Sequence, residues 1–196
     1  MIITKDMERY IKLQRTGYGN ADTEECYERG IQKDYDSIKS YLPESCSCIM
    51  DIGYGIAGID LFLSKHYNNN VELHLLDYSK VDKSVYYGYQ SKGSVYNSLL
   101  LSAEFLNING VSEKQIVTHD AENGFYCKPY DIIISLISCG FHYPVETYLK
   151  EIKQCKAGIV ILDIRKDTDQ IKILKDNFNS VEIIAGYLKH ERVLLK

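Results

Sequence analysis

The sequence predicts one α/β domain, a doubly wound sheet of seven strands that is mostly parallel with one antiparallel C-terminal strand, preceded by an N-terminal helical cap. Three observations carry this expectation. In residues 48–60, Cys-Ile-Met-Asp-Ile-Gly-Tyr-Gly-Ile-Ala-Gly-Ile-Asp, an apolar run ends in an acid, glycines follow at 53, 55 and 58, and an amphipathic pattern starts with Ile56, Ile59, Phe62 and Leu63. That order reads as strand, tight turn and helix. A second apolar run, residues 71–77, also ends in an acid, Asp77, 19 residues after Gly58. Doubly wound sheets present a carboxylate to a bound ribose at that place. Finally, the runs 181–185 and 192–195 are joined by the six residues 186–191, enough for an antiparallel hairpin and too few for a helical crossover.

Taken in order, residues 5–14 place Met7, Tyr10 and Ile11 on one helical face before Gly17-Tyr18-Gly19-Asn20 breaks the pattern. From 23 to 42 apolar residues recur at three- and four-residue steps until Pro43 stops them. Residues 1–44 are therefore expected to form a helical cap over one end of the sheet, and 45–196 a ligand-binding core. After strands at 48–52 and 71–77, residues 79–96 hold four tyrosines and two glycines and exceed a usual connection, which marks a lid or substrate loop. A helix over 97–106, a strand over 115–118 and a buried strand over 131–135 follow. Pro144 then opens a helix, 157–163 forms a strand, and 169–178 forms another helix before the final hairpin.

At 196 residues the chain suits one domain. Its 45% hydrophobic and 26% charged composition is that of a soluble globule, and three prolines argue against long disordered linkers. No run of about 18 apolar residues predicts a membrane span. The charged start, Met-Ile-Ile-Thr-Lys-Asp-Met-Glu-Arg, lacks the apolar core of a signal peptide, so a cytoplasmic location is expected. A net charge of −4 gives no general attraction to phosphate backbones, and nucleic acid is not an expected partner. The six cysteines then read as free thiols. Cys46 and Cys48 are too close for a zinc knuckle and no second pair follows, so no metal site is expected. Nothing in the sequence bears on oligomeric state.

The order of these motifs resembles that of the class I S-adenosylmethionine-dependent methyltransferases. In that family the first strand ends in an acid two residues before a Gly-x-Gly turn, as Asp51-Ile-Gly53-Tyr54-Gly55 does. A second acid ends the second strand, as Asp77 does, and an Asp-Ala pair closes the third, as Asp120-Ala121-Glu122-Asn123 does. Tyr130 to Ser135 matches the family's apolar fourth strand, and the terminal hairpin matches its single reversed strand. The resemblance implies S-adenosylmethionine as cofactor and S-adenosylhomocysteine as product. Gly53 and Gly55 would admit the methionine part, Asp51 would help hold its amino group, and Asp77 would take the ribose hydroxyls. Asp120 with the Ala121 backbone would read the adenine edge, Tyr54 would face the sulfonium or the substrate, and Tyr78 and Ser135 complete the cofactor contacts. Ala57 stands where many members have glycine.

Methyl transfer from an activated donor requires chiefly an aligned nucleophile and exclusion of water. A hydroxyl acceptor gains from a general base, and His142, just past the fourth strand, is the candidate. Tyr18, Tyr87, Ser138 and Tyr143 are the candidate substrate contacts. The expected acceptor is a small molecule with a hydroxyl, of sugar or polyol type. A nitrogen acceptor, a non-catalytic cofactor-binding protein and an NAD-binding oxidoreductase remain open. The Asp/Asn-Pro-Pro-Tyr signature of amide-type acceptors is absent after the fourth strand.

Overall fold

β1 (Cys48–Ile52) lies at the middle of the sheet, flanked in parallel by β2 (Glu72–Asp77) and β4 (Ile132–Ser135). In this computed structural model, which describes residues 1–14, 23–95 and 97–196, the seven strands run in the order β3-β2-β1-β4-β5-β7-β6. β3 (Ile116–Asp120) pairs with β2, and β5 (Ile159–Arg165) with β4. β7 (His190–Leu195) runs antiparallel to both β5 and β6 (Val181–Gly186). The expected single reversed strand is thus β7, inserted between its two neighbours.

Period-two alternation sorts the strand side chains onto two faces. Ile49, Leu73, Leu75, Ile132, Ile134 and Leu194 point into one apolar layer, covered by α1 (Lys5–Gln14), α2 (Thr23–Ile38), α3 (Gly58–His66) and α4 (Leu99–Ile108). Met50, Ile52, Ile133, Leu162 and Val193 point into the other, covered by α5 (Leu149–Gln154) and α6 (Gln170–Asn177). Both faces of β1 and β4 are buried, which is why those runs are apolar apart from Asp51 and the strand-final Ser135.

The cap helices do more than cover one end. α2 lies beside α3, with Tyr27, Ile31 and Ile38 in the same layer as Ile49 and Leu61. Its far side is tied to the sheet by Arg192 of β7. That guanidinium is fully buried, donates Nε and Nη2 to the two oxygens of Asp163 at 2.7 and 2.8 Å, and reaches Ser37 Oγ and the Asp34 carbonyl with Nη1.

One element departs from expectation. Pro144 opens not a continuous helix but a 3-10 turn, Val145–Thr147, and α5 starts only at Leu149. The Val145 N–H is capped by the side-chain oxygen of Gln170 on α6, and Tyr148, with φ −128° and ψ 9°, leaves the helical region between the turn and α5.

Candidate cofactor and active site

Strand order reverses at β1, whose neighbours β2 and β4 are reached by crossovers of opposite direction. A crevice therefore opens at the carboxyl ends of these strands, the place where open α/β sheets bind ligands. A cavity of about 880 Å³ occupies it, lined from β1 and its turn by Asp51, Gly53, Tyr54 and Gly55, from β2 by Asp77 and Tyr78, and from the segment after β4 by Ser138, His142 and Tyr143.

The glycine turn works by close approach. Gly53 has φ +73° and donates its N–H to the Leu76 carbonyl at 2.8 Å; a Cβ there would fall inside the Ser138 side chain. At Gly58 a Cβ would strike the Tyr27 hydroxyl and Ile31, so α2 can seat on the start of α3 only because that residue is glycine. Ala57 adopts φ 59° just before α3, a left-handed conformation that costs an alanine roughly 1–2 kcal/mol.

Three acids converge below the turn. Asp77 accepts the Tyr78 N–H at 2.8 Å and the Asn97 side-chain N–H at 2.8 Å, with the Gly55 N–H a further donor. Burial pushes its carboxyl up to about 6 despite these bonds. About one of a carboxylate's four lone-pair sites remains for a ligand. Asp51 is 2% exposed and lies against Asp60, which is fully buried in the first turn of α3. Counted as carboxylates, Asp51 Oδ1 and both Asp60 oxygens have no donor. One proton shared by the pair bonds one oxygen of each carboxyl and so cannot serve all three. Burial, then the facing Asp60 charge, raises Asp51, and burial raises Asp60. Apart from that shared proton, Asp51 Oδ1 and the Tyr54 hydroxyl are buried polar atoms of cavity-lining residues with no hydrogen-bond partner. A ligand carrying an ammonium group and ribose hydroxyls fits this set.

On the other side of the cavity, Tyr143 donates to or accepts from Ser138 Oγ at 3.2 Å, and burial raises its phenol well above the ordinary value, so it stays protonated. His142 Nδ1 lies 3.4 Å from the Gly88 carbonyl. In the tautomer that donates there, Nε2 keeps its lone pair. Burial lowers this imidazole, with Arg165 acting in the same direction, so it is neutral at pH 7. The segment 79–95 has no helix or strand of its own and is closed by bonds from Asp82 N to the Val95 carbonyl and from Val95 N to Asp82 Oδ2. Gln90 N donates to the His142 carbonyl at 3.0 Å, which sets the loop over the candidate base.

No protein-family model matches the sequence, and no curated protein sequence matches it. Solved structures do match in three dimensions. A 16S rRNA N2 G1207 methyltransferase from T. thermophilus, in complex with AdoMet and guanosine, superposes with a TM-score of 0.59 at 14% identity, over 92% of this chain and 44% of that one. A magnesium protoporphyrin IX methyltransferase from Synechocystis with bound SAH gives 0.57 at 16% identity, over 97% and 91%. A precorrin-6y C5,15-methyltransferase from Geobacter metallireducens gives 0.56 at 12% identity, over 84% and 87%. The chain has the class I methyltransferase fold.

Within that methyltransferase fold, ten of the residues singled out from the sequence line the one cavity: Asp51, Gly53, Tyr54, Gly55, Asp77, Tyr78, Ala121, Ser138, His142 and Tyr143. Others stand elsewhere. Ser135 is fully buried, donates Oγ to the Ile52 carbonyl at 2.7 Å and accepts the Cys139 N–H at 3.0 Å, so its hydroxyl braces β4 against β1 instead of facing the cavity. Asp120 pairs with Asp77 in register, but its carboxylate turns to accept the Glu122 N–H at 2.9 Å. Tyr87 is 37% exposed and outside the lining, and Tyr18 lies outside the described residues.

Several lining residues were not singled out. Asn97 precedes the helix-capping Ser98, whose Oγ accepts the Leu101 N–H. An Asn-Ser pair before an apolar run signals a helix start, but not the reach back to Asp77. Gln14, Tyr27, Lys80 and Tyr148 also line the cavity. Ile137, with φ 55°, is a β-branched residue in the left-handed region, its N–H bonded to Asp163 Oδ2 at 3.2 Å. Such strain persists only where the surroundings hold it.

Away from this site, Cys48, Glu72 and His74 bring three potential metal-ligating atoms within 4.8 Å of one another. They sit near the amino ends of β1 and β2, opposite the cavity. Lys128 Nζ already lies 2.6 Å from Glu72 Oε2, and His74 Nδ1 pairs with His119 Nε2 at 2.8 Å.

Proposed function

We propose that the chain transfers a methyl group from S-adenosylmethionine to a hydroxyl of a small polar acceptor of sugar or polyol type. The observation that carries the cofactor half of this reading is the pairing, in one cavity, of a strand-final buried carboxylate, Asp77, with the partnerless Asp51 Oδ1 beside a Gly-x-Gly turn. Bound there, the cofactor supplies a methyl group on a positively charged sulfur. Gly53 and Gly55 leave room for its methionine part, Asp51 faces the ammonium, Asp77 takes a ribose hydroxyl, and Ala121 walls the adenine, with Asp120 close behind.

The acid cluster also favours the cationic donor over its product, which lacks the sulfonium charge. In water-poor surroundings this difference is larger than in bulk solvent. At the acceptor end, His142 takes the hydroxyl proton on Nε2, while Ser138 and Tyr143 orient the acceptor and the loop above His142 excludes water. A neutral imidazole at pH 7 is the state that a base requires. The acceptor class rests on this base and on the polar, hydroxyl-rich wall. The three matching structures named above include rRNA and porphyrin-type methyltransferases and do not choose it.

The test is transfer of labelled methyl from S-adenosylmethionine to a panel of polyols, sugars and amines. Methylated hydroxyl acceptors support the reading; methylated amines alone refute the acceptor class. His142→Ala should lower turnover on the accepted hydroxyl by about 10²–10⁴-fold with cofactor affinity nearly unchanged. Equal loss of both, or of neither, removes His142 from the chemistry.

A further inference from the structure

Cys127 and Cys155, 28 positions apart in the sequence, have their sulfurs 2.8 Å apart. Cys127 is exposed, in the segment between the turn Ala121–Asn123 and β4; Cys155 is buried at the C-terminal end of α5. Among the described residues no other two cysteine sulfurs are in such contact: the Cys46 and Cys139 thiols turn to backbone carbonyls and that of Cys48 to Glu72. Neither Cys127 nor Cys155 lines the cavity, so the proposed transfer leaves both unused.

We propose that Cys127 and Cys155 form a redox modification site, a dithiol that closes to an intramolecular disulfide by exchange with a low-molecular-weight disulfide such as oxidised glutathione. A disulfide needs its sulfurs at about 2.05 Å, and these two already stand 2.8 Å apart. Exposure makes Cys127 the first to react. Its thiolate attacks one sulfur of the oxidised glutathione, the glutathione S–S bond breaks, and one glutathione thiolate leaves. Cys155, its proton passing to that thiolate, then attacks Cys127 Sγ and expels the second. Two protein thiols become one disulfide, and one oxidised glutathione becomes two reduced ones, a balanced two-electron exchange. Burial, and then the adjoining Cys127, holds the Cys155 thiol up to about 12, which makes the second step the slow one.

The bond would close a ring over residues 127–155. That ring contains β4, the Ser138–Tyr143 segment of the cavity wall and α5. Two residues before Cys127, the Phe125 ring lies 5.6 Å from that of the cavity-lining Tyr148. Constraining the unfolded chain in this way should raise the melting temperature by several degrees.

The experiment treats the folded, full-length protein with oxidised glutathione at neutral pH, quenches free thiols by alkylation, and reads intact mass, a peptide map and the melting curve. Expected are loss of two hydrogens, a cross-linked peptide pair joining 127 to 155, and a higher melting temperature, all reversed by a reductant. Cys155→Ser should accumulate a stable glutathione adduct on Cys127. A wild-type adduct on Cys127 that persists without cross-linking, or a cross-link formed only after unfolding, overturns the proposal; both readouts come from the wild-type protein, so neither depends on a variant that folds.

Discussion

Replacing Asp77 by asparagine keeps the shape of the strand end and removes its charge. The variant loses the charge-assisted bond to the ribose, worth about 1.5–3 kcal/mol, so S-adenosylmethionine should bind roughly ten- to a hundredfold more weakly at pH 7.5. An asparagine oxygen can still accept the Tyr78 and Gly55 N–H groups, but its amide nitrogen meets the Asn97 side-chain nitrogen. Asn97 must then turn over and give up the bond its Oδ1 accepts from Ser98 N at 2.8 Å. That costs about 1 kcal/mol, against which the variant no longer buries a carboxylate, and the melting temperature should change little. The ratio of wild-type to variant affinity should itself depend on pH. With Asp77 pushed up to about 6, about one wild-type molecule in ten keeps the carboxylate at pH 5, so the ratio should shrink about tenfold between pH 7.5 and pH 5. The other buried acids are common to both proteins and cancel in it. Calorimetric titration of both proteins at the two pH values is the assay. A folded variant with wild-type affinity, or a ratio independent of pH, would refute the assignment of Asp77.

Three further outcomes follow from the same geometry. Arg192→Met should destabilise by about 3–5 kcal/mol, because Asp163 loses its buried cation and α2 loses its tie at Asp34 and Ser37; a loss under about 1 kcal/mol in a denaturant titration would contradict the role of Arg192 in holding α2 to the sheet. Asp60→Asn should stabilise the ligand-free protein, and more so at pH 8 than at pH 5. Burial raises the Asp51–Asp60 pair above the unfolded value, so its favourable contribution is present at low pH and lost as pH rises through the folded value. The gain should grow by at most about 1.4 kcal/mol per pH unit, and a gain that is constant or falls with pH would show that the pair holds no extra proton. Gly53→Ala should weaken both folding and cofactor binding, since its Cβ would fall inside Ser138 at φ +73°; unaltered binding would mean that the turn is free to move.

The parts of this protein that were legible in its sequence are those set by short spacings. The strand-turn-helix at 48–66, the acids at the ends of β1 and β2, and the reversed last strand each follow from a dozen or so neighbouring residues. What required the structure are contacts between distant segments. Arg192 meets Asp34 across 158 positions, and no pattern within β7 signals it. Asp60 meets Asp51 across a turn in which Ala57 takes a left-handed conformation, which its residue type gives no reason to expect. Asn97 reads as part of a helix start and turns out to bond the buried Asp77 carboxylate. Ser135 and Asp120 show the opposite limit. Both sit at the strand ends where cofactor contacts are expected, yet a serine that can bond to two backbone groups at once serves β4, and an Asp before a 3-10 turn caps it. The continuous helix expected from Pro144 is instead broken at Tyr148, whose φ of −128° lies outside the helical region.

The central claim, that the crevice at the carboxyl ends of β1, β2 and β4 is a cofactor site for S-adenosylmethionine, is tested most directly by titrating the full-length protein with S-adenosylmethionine and with S-adenosylhomocysteine in a calorimeter at pH 7.5. The account predicts one site per chain for each, with the cationic donor bound more tightly than the product. A folded protein that binds neither would contradict it.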